Sequence, residues 1–415
     1  MASIFFEERE GRPREQRRTE HNRRLSEMVR AGYENASRVQ QIFKSRSLTP
    51  SDVATLEDLE RLPVISREQV AEYERQAPPF GGFARKDLTF ERIFTSPGPI
   101  YEPHLTESSL WTAGYHAAGF TEGDVVLNTF SYHLVAAGLT FHEGLRACGA
   151  TVVPSGTSNT EIQVQLLKDL GVTGFVGTPS FLKAIIAKAE EKGLDIAKDF
   201  YLRKASFVAE PLEPSLRTIF EERYGIDTYQ MYGATEVGDI AFECAEKKGW
   251  HIVEDAVVEI VDPDTGRSMK EGTLGEVVVT RLNNIFFLFR FGTGDLSSII
   301  EEQCPCGRTS LRLSGIHGRC GDAVKIRGLF IAPSQLNNIK KHFKNIKYQL
   351  VIDRKSFKDY LTVALEGPTI DDMIVKSFTD RFATECTVRI DEISIVSPGS
   401  IADSAPLIVD RRSWD

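Results

Sequence analysis

From Phe90 onward the chain alternates short apolar runs with amphipathic stretches. Apolar runs at 124–130, 150–154, 174–176 and 205–208 are separated by segments of helical spacing, such as 161–170 and 181–192. That rhythm predicts parallel strands joined by crossover helices. Upstream, residues 1 to about 75 read as helical, with a turn at Leu62-Pro63. Ser66 is placed to cap a helix that begins Arg-Glu-Gln. Pro78-Pro79 and Gly81-Gly82 then break the pattern. Near Trp250 the texture changes, and 253–262, the turn Pro263-Asp264-Thr265-Gly266 and 275–281 predict antiparallel sheet. A third texture begins near Gly318, with helical spacing at 335–343 and 373–384 and strand-like runs at 347–353 and 360–366. No internal repeat is visible.

Composition narrows the function classes. A chain of 415 residues has the material for two or three domains. A formal charge of -9 and a pI near 5.6 argue against a nucleic-acid partner, because no basic excess is present to neutralise phosphates. The longest apolar stretch, 125–141, contains Asn128, Ser131, Tyr132 and His133 and does not suit a membrane span. Ile4-Phe5-Phe6 is too short for a signal sequence. The arginines from Arg9 to Arg24 alternate with glutamates and read as a solvated helix. Six cysteines in so long a chain do not suggest a disulfide scaffold. The expectation is a soluble cytoplasmic enzyme.

Four clusters carry candidate chemistry. In Tyr232-Gly233-Ala234-Thr235-Glu236 an aromatic ring can stack on a planar ligand, and Gly233 admits close approach to the backbone. Thr235 and Glu236 offer oxygens to a phosphate and its magnesium; a strand end followed by a turn accounts equally well for this stretch alone. Asp295, after Gly292 and Gly294, suits the two hydroxyls of a ribose, or equally a glycine turn with a capping carboxylate. The run from Gly318 to Gly328, with Arg319, Lys325 and Arg327, suits a hinge that handles anions, or a basic linker. Cys304-Pro305-Cys306-Gly307, with Cys244 and His251, supplies the four ligands of a closed structural zinc site. The alternative makes Cys244 a small core residue and His251 a strand residue. Cys320 is a substitute ligand candidate, and Cys148 and Cys386 read as core.

The order of these motifs resembles the adenylate-forming superfamily and, more narrowly, the phenylacetate–coenzyme A ligase family. The likeness rests on Val208-Ala209-Glu210-Pro211, the Tyr-Gly-x-Thr-Glu stretch, Thr293-Gly294-Asp295-Leu296, and Gly318-Arg319 followed by Lys325-Ile326-Arg327-Gly328. Leu62-Pro63-Val64-Ile65-Ser66-Arg67-Glu68, the Cys304-to-Thr309 knuckle and Pro398-Gly399-Ser400-Ile401 add to it. The resemblance implies an α/β fold with a large multi-layer N-terminal domain, 1–318, holding parallel sheets and an antiparallel β subdomain. A small mobile α+β domain, 319–415, follows a hinge. It also implies activation of an aryl or other apolar carboxylic acid by ATP and magnesium to an acyl-adenylate, then transfer to coenzyme A, and it is compatible with a homodimer. Ala209, Glu210, Tyr232 and Gly233 would line the adenine, and Thr235 would meet phosphate. Glu236 would hold magnesium, Asp295 the ribose, and Arg319 the nucleotide. Ser96 and Gly98 fall in the phosphate-loop region. Lys325 would face, and Gly328 line, the coenzyme A tunnel. Tyr132, His133, Gly138, Phe141 and Ala234 fall where relatives line the acyl pocket, though Phe141 reads equally as core.

Three departures fall on one part of that chemistry. Where the family has a Ser/Thr/Gly run ending in Lys-Pro, this chain has Pro97 and Pro99, no lysine, and Glu102. Proline removes N–H donors from such a loop, and a glutamate repels phosphate. The C-terminal lysine is missing too, since no lysine follows Lys376, and Gly321 stands at the hinge. The alternative reading is therefore a paralog without adenylation, acting as an acyl or amide transferase or as a ligand-binding protein.

Overall fold

The computed structural model describes residues 5–96, 100–105, 110–270, 272–327, 329–355, 358–386, 388–402 and 404–412. The chain divides into two compact units. One comprises Met1–Glu259, Val278–Thr293 and Ile299–Gly315; the other comprises Ile260–Val277, Gly294–Ser298 and Ile316–Asp415.

In the first unit a nine-stranded sheet carries the expected rhythm. Strands Val125–Asn128, Thr151–Val153, Gly174–Gly177, Lys204–Phe207 and Asp227–Ala234 run parallel where they pair. Helices Thr160–Asp169 and Pro179–Glu191 cross between them. Leu127, Phe175, Ala205 and Phe207 form a core with Leu167, Leu182, Ile185 and Phe220, all essentially buried. Strands buried on both faces need near-continuous apolar runs, which is what the sequence shows there. At Asp227–Ala234 the sheet changes character. Its other neighbour, Gly238–Glu243, is antiparallel, as are Trp250–Ile252, Arg312–Leu313 and Ile299–Ile300 beyond it.

Helices Arg14–Asn35 and Ser37–Ser45 pack Leu25, Met28, Val29 and Phe43 against Phe287 and Phe289. The first helix is not simply solvated, as its charge pattern suggested. Arg17 is buried with both Nε and Nη2 on Glu254, and Arg9 and Arg24 bind Asp255. Periodicity shows where charge lies along a helix but not which partner waits across from it.

Ile65–Ser66 forms a short strand parallel to the start of Phe291–Ser297, and helix Arg67–Gln76 follows. Ser66 caps that helix reciprocally with Gln69: Gln69 N–H donates to Ser66 Oγ over 3.3 Å, and Ser66 N–H to Gln69 Oε1 over 2.9 Å. The entry is anchored by Arg290, whose side chain is 2 % exposed. Its guanidinium donates to both oxygens of Glu259 at 3.1 and 2.9 Å and to the Leu62 carbonyl at 2.7 Å.

The second unit has a four-stranded sheet ordered Glu392–Val396, Lys358–Glu366, Lys347–Lys355, Ile408–Asp410. Tyr348, Leu350 and Ile352 stand directly opposite Leu365, Val363 and Leu361 on one face. Leu336, Ile339, Phe378 and Phe382 from helices Pro333–His342 and Asp372–Cys386 cover that face. The mixed α/β architecture expected from the sequence is present in both units.

Candidate active site

The switch strand Asp227–Ala234 ends on Tyr232-Gly233-Ala234, with Thr235 and Glu236 in the turn to Gly238–Glu243. The switch strand is parallel to one neighbour and antiparallel to the other, so its carboxyl end and the turn after it sit where the sheet changes pairing. The turn is tightly built. A Cβ on Gly233 would lie 2.4 Å from the Gly238 carbonyl oxygen and 2.5 Å from the Trp111 ring, so only glycine fits. Asp239 locks the turn from below by accepting from the Trp111 N–H at 2.9 Å and from Arg281 at 2.8 Å. Tyr232 is buried beside Trp250, with ring centroids 6.0 Å apart.

Glu236 is the unusual member. Its side chain is fully buried, yet neither carboxylate oxygen has a hydrogen-bond partner among the described residues. Arg67 Nη1 lies 2.6 Å from Oε1, an ion-pair distance outside hydrogen-bond geometry. Burial raises its pKa, and Arg67 opposes that shift. A buried carboxylate so poorly satisfied is costly unless a cation completes it, and oxygen ligation suits magnesium.

Arg67 reaches from Glu236 to a hairpin, Ile93–Ser96 paired with Ile100–Pro103. Its Nη2 donates to Ser96 Oγ at 2.8 Å, and Ser96 Oγ donates to Glu102 Oε1 at 2.6 Å. Glu74, on the Arg67 helix, accepts from the Tyr101 N–H at 2.8 Å. Burial, reinforced by the Glu236 charge, pushes Glu102 up to about 8 and Glu74 up to about 7. Sequence reasoning singled out Ser96 and noted Glu102, but it missed Arg67 and Glu74. The signal for Arg67 was its place directly after the capping Ser66.

Other expected residues lie as follows. Ala209 is exposed at φ +70°, a left-handed conformation uncommon outside glycine, and Glu210 accepts from the Ser180 N–H at 3.1 Å. Tyr132 accepts from Asn128 at 2.9 Å and its hydroxyl is 3.2 Å from His142 Nδ1; His133 is exposed. Gly138 packs on the Ser131 carbonyl, where a Cβ would come within 2.3 Å. Phe141 is buried edge-to-face between Trp111 and Phe130, as its core reading expected. In the second unit Asp295 and Arg319 are cross-strand partners joined at 2.6 Å. Lys325 sits in strand Val324–Ile326 opposite Phe330. Gly98 and Gly328 lie outside the described residues.

Cys244, His251, Cys304 and Cys306 converge, with ligand atoms all within 4.8 Å of one another. The Cys244–Cys304 sulfurs are 3.7 Å apart, and Cys306 Sγ is 3.3 Å from His251 Nε2. Four ligands at tetrahedral zinc would have sulfurs about 3.8 Å apart, so the cluster fits that metal. His251 Nδ1 meets Ser310 Oγ at 3.2 Å, which orients the ring. Burial, with Arg308, Arg312 and Arg17 nearby, holds His251 down to about 3, the neutral form a metal needs. Cys320 is not part of the cluster; Cys386 is buried and Cys148 half-buried.

Against known proteins, residues 104–285 match the family model of AMP-binding enzymes. Over 379 residues the chain is 31% identical to a phenylacetate–coenzyme A ligase of Thermus thermophilus, spanning 88% of this chain and 84% of that protein. The corresponding ligase of Aromatoleum evansii is 32% identical over 359 residues, 83% of this chain and 80% of that one. The chain belongs to the phenylacetate–coenzyme A ligase family. A solved 2-hydroxyisobutyryl-coenzyme A ligase in an open conformation shares its fold, at TM-score 0.83 and 23% identity over 99% of this chain and 95% of that one. Membership makes the protein an acid–thiol ligase of the adenylate-forming type. No described helix is long and apolar enough to cross a membrane.

Proposed function

We propose that the protein activates an aryl or other apolar carboxylic acid with ATP, releasing pyrophosphate, and passes the acyl group to coenzyme A. The observation that carries this reading is Glu236, buried and unsatisfied at the end of the switch strand in a chain of this family. A carboxylate becomes an electrophile only when its oxygen is made a leaving group, and charge then grows on phosphate. Magnesium held by Glu236 would neutralise that charge. Thr235 would contact phosphate, and Ser96 and Gly98 would serve the phosphate loop. Ala209, Glu210, Tyr232 and Gly233 would line the adenine. Asp295 and Arg319 would hold the nucleotide's ribose side, and Lys325 and Gly328 would serve thioester formation. Tyr132, His133, Gly138 and Ala234 would shape the acyl pocket. The domains proposed are 1–318 and 319–415, and the setting is cytoplasmic.

ATP–pyrophosphate exchange across a panel of aryl and fatty acids tests the reading. Acid-dependent exchange supports it, and nucleotide binding without exchange for any acid overturns it. That second outcome would favour acyl transfer from a preformed adenylate, the reading that Glu102 on the phosphate side supports. For the Cys/His cluster, we propose one structural zinc per chain. Metal analysis near one equivalent, with a lower Tm in Cys304→Ala/Cys306→Ala, is the expected result; well under one equivalent would remove the site.

A further inference from the structure

A triphosphate needs positive charge on its phosphate side, and the family's phosphate-loop lysine is missing here. The structure offers a different cation. Arg67 touches Glu236 at 2.6 Å and Ser96 at 2.8 Å, so its guanidinium spans the proposed magnesium and phosphate residues. Glu236 is fully buried while the Arg67 side chain is 35% exposed, so of the two the arginine is the one with solvent contact. Ser96 is oriented to receive it, because its hydroxyl proton is committed to Glu102 at 2.6 Å and its lone pair faces the arginine. We infer that Arg67, positioned by Ser96 and Glu102, takes over the work of the missing lysine and binds the β- and γ-phosphates of the nucleotide. A planar fork of N–H donors suits phosphate oxygens at least as well as an ammonium does. Glu102 then has a use at a place where it otherwise only repels phosphate: it fixes the serine that fixes the arginine. Burial favours its uncharged form near neutral pH, which reduces that repulsion.

The ligand's identity rests on the ligase reading, and the test separates the two. Titration calorimetry of wild type, Arg67→Gln, Arg67→Lys and Ser96→Ala would use magnesium-ATP, pyrophosphate and AMP. Arg67→Gln should weaken ATP and pyrophosphate by about 10- to 100-fold and AMP by less than about 2-fold, because a charged hydrogen bond is lost only where the outer phosphates bind. Arg67→Lys should recover part of the loss, and Ser96→Ala should lose less than Arg67→Gln with the same ATP-over-AMP signature. Equal weakening of AMP and ATP, unchanged ATP affinity in Arg67→Gln, or no ATP binding by wild type overturns the inference. Wild type that binds ATP without any exchange overturns the ligase reading and leaves the assignment of Arg67 standing.

Discussion

Two arginine–glutamate pairs in the first unit look alike in sequence and differ in construction. Arg290 and Glu259 meet through two hydrogen bonds, with a third to the Leu62 carbonyl, and the arginine is sealed from solvent. Arg67 and Glu236 meet at one ion-pair distance, with the glutamate sealed and its oxygens unsatisfied. Burial raises the pKa of both glutamates, and in both an arginine opposes the shift. A completed pair of this kind holds the chain in place, whereas an incomplete one holds charge ready for a ligand. Three residues after the Leu62 carbonyl that Arg290 fixes comes Ile65, whose strand leads into Ser66 and Arg67, so the first pair sets where the second begins.

The comparison can be broken by removing one partner at a time. The largest effect is expected for Arg290→Ala, which strands Glu259 and the Leu62 carbonyl; a loss of about 3–5 kcal/mol should appear in urea unfolding. Glu236→Gln should do the opposite. ATP–pyrophosphate exchange should fall by about 100-fold or more if the glutamate carries the metal, while Tm changes little, since the carboxylate has few bonds to lose. If the two substitutions cost similar stability, the pairs are not different in kind.

A smaller effect concerns pH. Glu102 and Glu74 are raised in the folded state to about 8 and about 7 from 4.5, so the native protein holds more protons than the unfolded chain between those limits. Stability contributed by their neutral forms is full below about 4.5 and falls as pH rises toward 8. In metal-free protein, Glu102→Gln should flatten that decline when unfolding is compared at pH 5 and pH 8; an unchanged slope would mean Glu102 is ionised throughout. The smallest effect is expected at Ser66→Ala, about 1 kcal/mol from the lost cap, with a modest drop in ATP affinity because Arg67 is the first residue of the helix it caps.

Much of the fold was legible because each element satisfies its own local rule. The parallel strands announce themselves as apolar runs at 174–176 and 205–208, and Ser66 with Gln69 is a capping signal that needs no partner from elsewhere. Cys304-Pro305-Cys306-Gly307 is likewise a local turn. Gly233 by its residue type admits close approach, and the Gly238 carbonyl five residues on is a local neighbour, but the Trp111 ring comes from a segment more than a hundred residues away.

The phosphate side shows the limit. Sequence alone showed a loop without its expected lysine and with a glutamate near its end, and could read only repulsion, since charge sign is visible in a sequence and burial is not. Folding brings Glu102, Ser96, Arg67 and Glu236 from three separate segments into one chain of contacts. Sequence by itself determined the α/β rhythm, the switch-strand stretch and the family, because periodicity and short motifs are properties of neighbours along the chain. Only the tertiary structure decided that Arg290 anchors while Arg67 stands beside an unsatisfied carboxylate, because the energy of a charge is set by what surrounds it in space.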